Sequence, residues 1–381
     1  MGIHHKNDDF PITIEMNLQL RLAQKVLESL GNNHSDNWDE IRFGPEKQGE
    51  AKNIFPSKLE LLNTRGYFHF EQSRGILTYA NSALEKYWKG LEETYDILSD
   101  DKSKEIYIEL LAYRILGHKK IKLSSNNKKR GEFLSKIKDF IDYDDWQDSN
   151  FTNHKLYMHK FAYHDDQLSI YLTEFGPLYA FFLGQYRLND IISPNKGDVI
   201  IECGACWGDT TIEFAASVGD AGTVYAYEFI PRNKEIIAKN IKLNDKLTDR
   251  IRLIDNAVWS ESNLIAYYKD DGPGTRVEME PFESQEGKVK TLSIDDLVEK
   301  NGLSRVDLIK MDIEGAELEA LSGAKETLCK FKPNLAISIY HSLEDFTGIA
   351  PWIDKLDLGY NFHIRHFTIH QEETVLFAST E

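Results

Sequence analysis

The sequence predicts an α/β protein: a mostly parallel sheet with helices on both faces, one antiparallel strand near its end, and a mostly helical region in front. Three observations carry this reading. From Gly197 onward, short apolar runs alternate with helical ones, the pattern of a parallel sheet crossed by helices. The last two apolar runs, Asn361–His366 and Thr374–Ala378, have only a short polar link, which reads as a hairpin rather than a crossover. Before about residue 150 the apolar residues recur at helical spacing instead.

Leu18, Leu22, Val26 and Leu30 recur every fourth residue, and Gly31 follows as a stop. The polar stretch from Gly31 to Asp39 reads as a loop. Ser99 stands before Asp100 and Asp101, a cap followed by an acidic first turn, and Ile106, Leu110, Leu111 and Ile115 carry that helix to Gly117. No repeat and no catalytic constellation occurs in this part, so residues 1–155 read as a helical accessory domain and 156–381 as a second domain. Leu168, Ile170 and Leu172 alternate with Ser169, Tyr171 and Thr173, a strand ended by Gly176-Pro177. The main sheet is read over Val199–Cys203, Thr223–Tyr227, Ile251–Ile254, Val306–Met311, Leu335–Tyr340 and the two hairpin strands. Helices fit Thr210–Ser217, Arg232–Leu243, Ala316–Leu321 and Ala350–Leu356.

The chain has 381 residues, enough for two domains and a sizeable core. Its 45 basic residues against 62 acidic ones give −17, a poor match to nucleic acid, whose binding rests on phosphate neutralisation. Lys119, Lys120, Lys122, Lys128, Lys129 and Arg130 bunch locally; a solvated loop is the plain reading and an anion-docking patch the other. No apolar run reaches the ~18 residues of a membrane-spanning helix. The opening MGIHHKNDDF has no leader-type apolar core, and Lys6 stands where an acylation signal wants Ser or Thr. Three cysteines are too few for a disulfide framework and fit a cytoplasmic protein. Cys203 and Cys206 form a C-x-x-C, but it ends a strand and lacks a second ligand pair, so a metal or redox role is the weaker reading.

The most informative stretch is DVIIECGACWGDTT, Asp198 to Thr211. A buried strand ends in Glu202, Gly204 and Gly208 follow with Ala205 between them, and a helix starts at Asp209-Thr210. Glycines permit a tight turn and a close backbone approach to a ligand. The spacing is not the G-x-G-x-x-G of a dinucleotide site. An acidic strand end suits a cationic ligand, such as the amino-acid part of S-adenosylmethionine. The next strand ends in Glu228, followed by Phe229, at roughly the ~20-residue offset where an acid accepts the hydroxyls of a ribose. Pro231 suits the first turn of the helix that follows.

Together these residues resemble the FkbM-type S-adenosylmethionine-dependent methyltransferases, from about Gly197 to Phe377. VIIECGACWGDTT, VYAYEFIPRN, DNAVWS, VKTLSIDDL and, above all, VDLIKMDIEGAELEALSGA carry the resemblance. EETYDILSDDKSKEIYIELLAYRI also resembles a helical region preceding the domain in some members; the first ~80 residues carry no such resemblance. Glu202, where many members carry Asp, and the bulky Trp207 depart from the pattern. The resemblance implies a Rossmann-like seven-stranded methyltransferase sheet with an antiparallel last strand. It implies methyl transfer to an oxygen, often on a sugar of a surface glycan or on a natural product, and places adenine contacts at Asn256 and Ala257.

Transfer to a hydroxyl needs an acceptor oxygen in line with the sulfonium methyl, and a base. Two strand ends offer groups. Val306–Met311 leads into Asp312 and Glu314, which could orient the acceptor, assist deprotonation or hold a divalent cation. Leu335–Tyr340 leads into His341, the preferred base because imidazole titrates near neutrality, with a structural histidine as the equal alternative. Lys310 reads as an ion-pair partner more than as a catalytic group. Arg365 could bind an anionic acceptor, though a surface strand charge is the plainer reading, and the loop Asp270–Val277 could gate the acceptor. A nicotinamide oxidoreductase on a similar sheet and a catalytically silent binding module are the rival readings. The missing G-x-G-x-x-G and the closing hairpin count against the first, the IKMDIEGAE block against the second. A small-molecule or glycan acceptor is expected, and a homo-oligomer stays open.

Overall fold

The computed structural model describes residues 17–46, 73–149, 155–188 and 191–380. The opening segment, on which the leader and acylation readings rest, lies outside them. The first region holds α1 (Leu18–Ser29), α2 (Glu40–Phe43), α3 (Ser73–Ile97), α4 (Asp101–Leu116) and α5 (Lys128–Ile137). An antiparallel meander follows, β1 (Ile141–Asp148), β2 (Lys155–Tyr163) and β3 (Asp166–Leu172), and then a π-helical turn over Leu178–Leu183. Beyond it come β4 (Val199–Cys203), α6 (Asp209–Val218), β5 (Thr223–Tyr227), α7 (Pro231–Leu243) and β6 (Ile251–Ile254). A small sheet of β7 (Ile265–Tyr268), β8 (Val277–Glu278) and β9 (Gly287–Lys290) leads to α8 (Ile294–Lys300) and β10 (Leu308–Met311). The chain ends with α9 (Glu317–Ser322), α10 (Lys325–Phe331), β11 (Asn334–Ser338), α11 (Leu343–Asp354), β12 (Asn361–His366) and β13 (Thr374–Ser379).

The main sheet has seven strands in the order β12-β13-β11-β10-β4-β5-β6. All neighbours are parallel except β13, which runs antiparallel to both β11 and β12. The expected Rossmann-like methyltransferase sheet with its antiparallel last strand is therefore present. Central strands read as continuous apolar runs because both faces are covered: every residue of β10 and β13 is buried. The chain leaves β4 in one direction toward β5 and joins β10 on the other side. That reversal opens a crevice at the carboxyl ends of β4 and β10, where open α/β sheets take their ligands.

The helical region shares its core with the sheet. One apolar cluster runs from Leu18 and Leu22 through Tyr107 and Leu111 to Ile337, Ile364 and Leu376. Tyr107 of α4 stacks on Phe346 of α11 with ring centroids 4.6 Å apart. Gly90 lets α3 approach α11 closely, since a Cβ there would lie 2.8 Å from the Thr347 carbonyl oxygen.

Several local readings change. Asp100, not Ser99, caps α4, its Oδ1 accepting from Ser103 N at 2.6 Å. Ser99 is drawn off into a bridge with β12, donating its N–H to Phe362 O at 2.8 Å and accepting from Phe362 N at 2.9 Å. The last helix starts at Leu343, capped by Ser342, and runs through Pro351. Of the basic cluster, Lys119 pairs with Glu46 at 2.9 Å and Lys122 with Asp36 at 2.8 Å, while Arg130 is buried against the Phe367 carbonyl. β1 escapes sequence reading because its IDYDDWQD carries little apolar alternation and stays mostly exposed.

The 155/156 boundary drawn from sequence falls at the start of β2, which pairs with β1 in front of it. A chain beginning at residue 156 loses that pairing and the helical cover of β12 and α11. Each large apolar side chain so uncovered forfeits ~1.5–3 kcal/mol. Such a fragment is expected to be insoluble or to melt without a cooperative transition. A soluble fragment with a sharp calorimetric transition would show that the sheet is self-sufficient.

Candidate active site

A cleft of about 1160 Å³ opens over the carboxyl ends of the central strands. One end is walled by Gly204, Asp209, Thr210, Glu228 and Asn256, the other by Asp312, Glu314, Tyr340 and His341. The loop after β4 is shaped by two glycines. Gly204 has φ +85°, and a Cβ there would lie 2.0 Å from the Asp312 carbonyl oxygen. Gly208 has φ +85°, and a Cβ there would lie 2.5 Å from Ile237 of α7. The first glycine thus brings the loop into backbone contact with the turn after β10, and the second seats α6 against α7. Ala205 is buried and donates its N–H to Tyr227 O at 3.0 Å.

Glu202 does not line the cleft, which corrects the reading that it faces a cationic ligand. It is fully buried behind the loop, its carboxylate accepting from Thr210 Oγ1 and, at 2.6 Å, from Thr211 Oγ1. Burial raises its pKa, opposed by the Lys310 ammonium 3.9 Å away. Lys310 itself donates to Gly204 O at 2.6 Å and is 2% exposed, so it braces the loop from beneath. Asp209 lies at the start of α6, its pKa raised by burial against the pull of Lys310.

Glu228 follows β5 directly as a buried carboxylate in the cleft wall. It accepts from Ile230 N at 2.7 Å and from Asn233 Nδ2 at 3.3 Å. Burial outweighs these bonds and pushes its pKa up to about 7. Phe229 sits edge-on to Tyr268, centroids 5.2 Å apart. Asn256 Nδ2 and Ala257 N both donate to Lys290 O, at 3.0 and 3.1 Å, which fixes the turn after β6. The segment Asp271–Val277 also lines the cleft.

At the other end Asp312 and His341 meet. Asp312 Oδ2 accepts from Tyr186 OH at 2.6 Å, and Oδ1 lies 3.3 Å from Tyr340 OH. His341 Nε2 is 3.1 Å from Asp312 Oδ1 and 3.5 Å from Glu314 Oε1, and its Nδ1 is 3.1 Å from Glu317 Oε1. Burial would lower the histidine pKa, but the three carboxylates raise it well above the ordinary value. The carboxylates around it thus favour its protonated form against the pull of burial. Burial would raise the Asp312 pKa, but His341 and Lys310 hold it well below the usual carboxylate range. Arg365 and His363 lie away from the cleft and grip the Asp100 cap, at 3.2 and 2.5 Å.

Four contributors were missed in the sequence. Glu317 is fully buried and accepts from Ile313 N at 2.9 Å and Gly315 N at 3.0 Å, so it fixes the turn that carries Glu314. Its signal was available, an acid opening a helix just after Asp312 and Glu314. Tyr340 adjoins His341 in sequence and could have been read with it. Tyr186 and Glu373 arrive from remote segments and gave no sign. Glu373 lines the cleft, and burial together with Asp312 pushes its pKa up to about 8.

This is a methyltransferase-type sheet with a ligand cleft at its topological switch point. Residues 202–362 match the family model described as the Methyltransferase FkbM domain. The curated relative 2-O-methyltransferase NoeI of Sinorhizobium fredii (strain NBRC 101917 / NGR234) is 29% identical over 151 residues. That alignment covers 35% of this chain, and the chain spans only 61% of the relative's length. Among solved structures, a methyltransferase FkbM from Methylobacillus flagellatus KT is 16% identical with a TM-score of 0.49, covering 78% of this chain and 60% of that one. Aeropyrum pernix fibrillarin, solved with S-adenosyl-L-methionine, is 14% identical with a TM-score of 0.34, covering 59% and 89%.

The raised pKa of Glu228 has a consequence for stability. The folded protein holds that proton more tightly than the unfolded chain does. Its contribution is most favourable below the ordinary value of 4.5 and is lost as pH rises to about 7, by roughly 3 kcal/mol at most. Glu228→Gln cannot ionise, so its stability relative to the parent should improve between pH 4.5 and 8 in thermal melts. Parallel stability curves for the two proteins would show that the carboxyl titrates normally.

Proposed function

We propose that this protein is an S-adenosylmethionine-dependent O-methyltransferase acting on a hydroxyl of a sugar, a surface glycan or a natural product. The observation that carries the reading is the single cleft joining the Gly204–Gly208 loop and Glu228 to the Asp312 cluster. Its donor set fits the cofactor: a glycine-shaped loop at a helix start, and a buried carboxylate at the end of the next strand that can accept ribose hydroxyls. When bound, the cofactor supplies an electrophilic sulfonium methyl. Gly204, Ala205, Gly208, Asp209 and Thr210 form the wall for its amino-acid part, with Glu202 holding that wall from behind. Glu228 takes the ribose, and Phe229, Asn256 and Ala257 border the adenine.

Asp312 and Glu314 face the acceptor. Asp312 is the ionised carboxylate placed to receive a hydrogen bond from the acceptor hydroxyl and to aim its oxygen. Lys310 positions the loop rather than the acceptor. His341 holds the carboxylates in register. The family match supports methyl transfer, and the 2-O-methyltransferase named above supports oxygen as the target. Residues 156–381 are assigned as the methyltransferase domain. The preceding region is assigned an accessory role, since Glu40, Ile41 and Arg42 reach the cleft wall.

Calorimetry tests the cofactor directly. S-adenosylmethionine and its demethylated product should bind, and NAD should not. Glu228→Ala should weaken that binding by ~1–3 kcal/mol through loss of a hydroxyl acceptor. Equal affinity for NAD, or no binding of either sulfur ligand, would sink the assignment. A methyl-transfer assay over sugar nucleotides and glycan fragments, read by mass, then identifies the acceptor.

A further inference from the structure

We propose that Asp312, Glu314 and His341 bind one divalent first-row cation, of the manganese or zinc type, at the acceptor end of the cleft. One donor atom from each residue lies within 4.8 Å of the other two. The separations from His341 Nε2, 3.1 Å to Asp312 and 3.5 Å to Glu314, are those of shared ligands. Two donors bound at ~2.1–2.2 Å to one ion stand about 3.0 Å apart at a right angle and about 3.5 Å apart at a tetrahedral angle.

The histidine supplies an independent observation. Its side chain is 2% exposed, yet neither ring nitrogen makes an aligned hydrogen bond among the described residues. The neighbouring carboxylate oxygens are close but off the axis of the ring nitrogens. A buried imidazole without aligned partners is costly, and a cation placed between Nε2 and the two carboxylates satisfies it. On the far side, Glu317 Oε1 lies 3.1 Å from Nδ1 and is itself fixed by two backbone N–H groups. That is the arrangement in which an outer carboxylate orients a metal-ligating histidine. Tyr186 occupies Asp312 Oδ2, while Oδ1, which also accepts from Tyr340 OH at 3.3 Å, faces the histidine.

One imidazole and two carboxylates favour manganese, iron or zinc over calcium. A second group, Glu317, His341 and Asp345, shares the histidine, but the Glu317 oxygens are already engaged. Three protein ligands leave positions open toward the cleft. Resting on the methyl-transfer reading above, an acceptor hydroxyl takes one of them, and the cation lowers its pKa as it does that of bound water.

The test titrates Mn²⁺ into chelator-treated, desalted full-length protein and reads free ion by electron paramagnetic resonance. One equivalent should bind, with Zn²⁺ competing. Affinity should fall at least 10-fold in Asp312→Asn and His341→Gln, and ~10–100-fold in Glu317→Gln. Thermal melts confirm that each variant is folded. Pulsed resonance on the unmodified protein should show a nitrogen coupling from the imidazole, a readout that needs no variant. No binding of either ion, no nitrogen coupling, or equal affinity in a folded His341→Gln protein overturns the site. Binding of S-adenosylhomocysteine is followed by calorimetry on the same samples. Its failure with Mn²⁺ binding intact would overturn the methyltransferase reading and leave the cation site standing.

Discussion

The cleft depends on one buried ammonium. Lys310 sits in the middle of β10, opposite Glu202 on β4 in the sheet register. Its Nζ holds the Gly204 carbonyl at 2.6 Å and stands 3.9 Å from the Glu202 carboxylate. An isolated buried charge costs several kcal/mol, and here the compensation comes from an anion, a carbonyl and the ring of Tyr186 at 5.0 Å. Gly204 in turn rests on the Asp312 backbone. The position of one cation thereby sets the distance between the glycine loop and the acid cluster. Removing it would leave Glu202 buried without a counter-charge and free the loop at the same time.

Neighbouring groups sort the cleft carboxylates. Glu228, Asp312 and Glu373 all suffer the same penalty of burial, yet they move in opposite directions. Asp312 faces His341 and feels Lys310, and is held low. Glu228 has only amide donors, and Glu373 faces Asp312 and Glu372, so both rise. The cleft therefore offers a fixed anion at the acceptor end and protonatable carboxyls beside it. Environments that push like groups apart are how one site holds both acid and base character.

The parts legible in the sequence are those that the backbone alone dictates. Gly204 and Gly208 were readable because only glycine fits a left-handed turn pressed against another chain segment. The central strands were readable because burial on both faces demands unbroken apolar runs. Glu228 was readable because strand ends define where a ligand lies. Glu202 shows where this fails: a strand-end acid points either out to the cleft or back into the fold. The choice was made by Thr210, Thr211 and Lys310, two of which the motif contains without revealing their direction. His341 illustrates a related point. Its intrinsic pKa suggested a base, but its charge is set by Asp312, Glu314 and Glu317, which come from another strand end. Ser99 lost its capping role to a bridge with Phe362, more than 200 residues away, a competition no local pattern records.

The two ends of the cleft are built by different means, and this bears on how specificity is distributed. The loop after β4, the end of β5 and the turn after β6 are rigid because each is tied into the sheet by backbone hydrogen bonds, such as Ala205 to Tyr227 and Ala257 to Lys290. The acceptor end has a rigid floor in Asp312 and His341 but walls drawn from outside the sheet. Glu40–Arg42 come from the helical region and Thr368 and His370–Glu373 from the closing hairpin, while Asp271–Val277 follow Asp270 and Tyr268, which meet Arg232 and Phe229 beside Glu228. Arg42 pairs with Glu372 at 2.8 Å, so the helical region and the hairpin close this wall together. A ligand common to many relatives needs the first kind of construction, since its groups must meet fixed donors. A variable acceptor needs the second, because loops on the rim can change without disturbing the strands beneath. The helical region is then more than cover for β12: its shared core with α11 and the sheet holds Arg42 in the cleft wall.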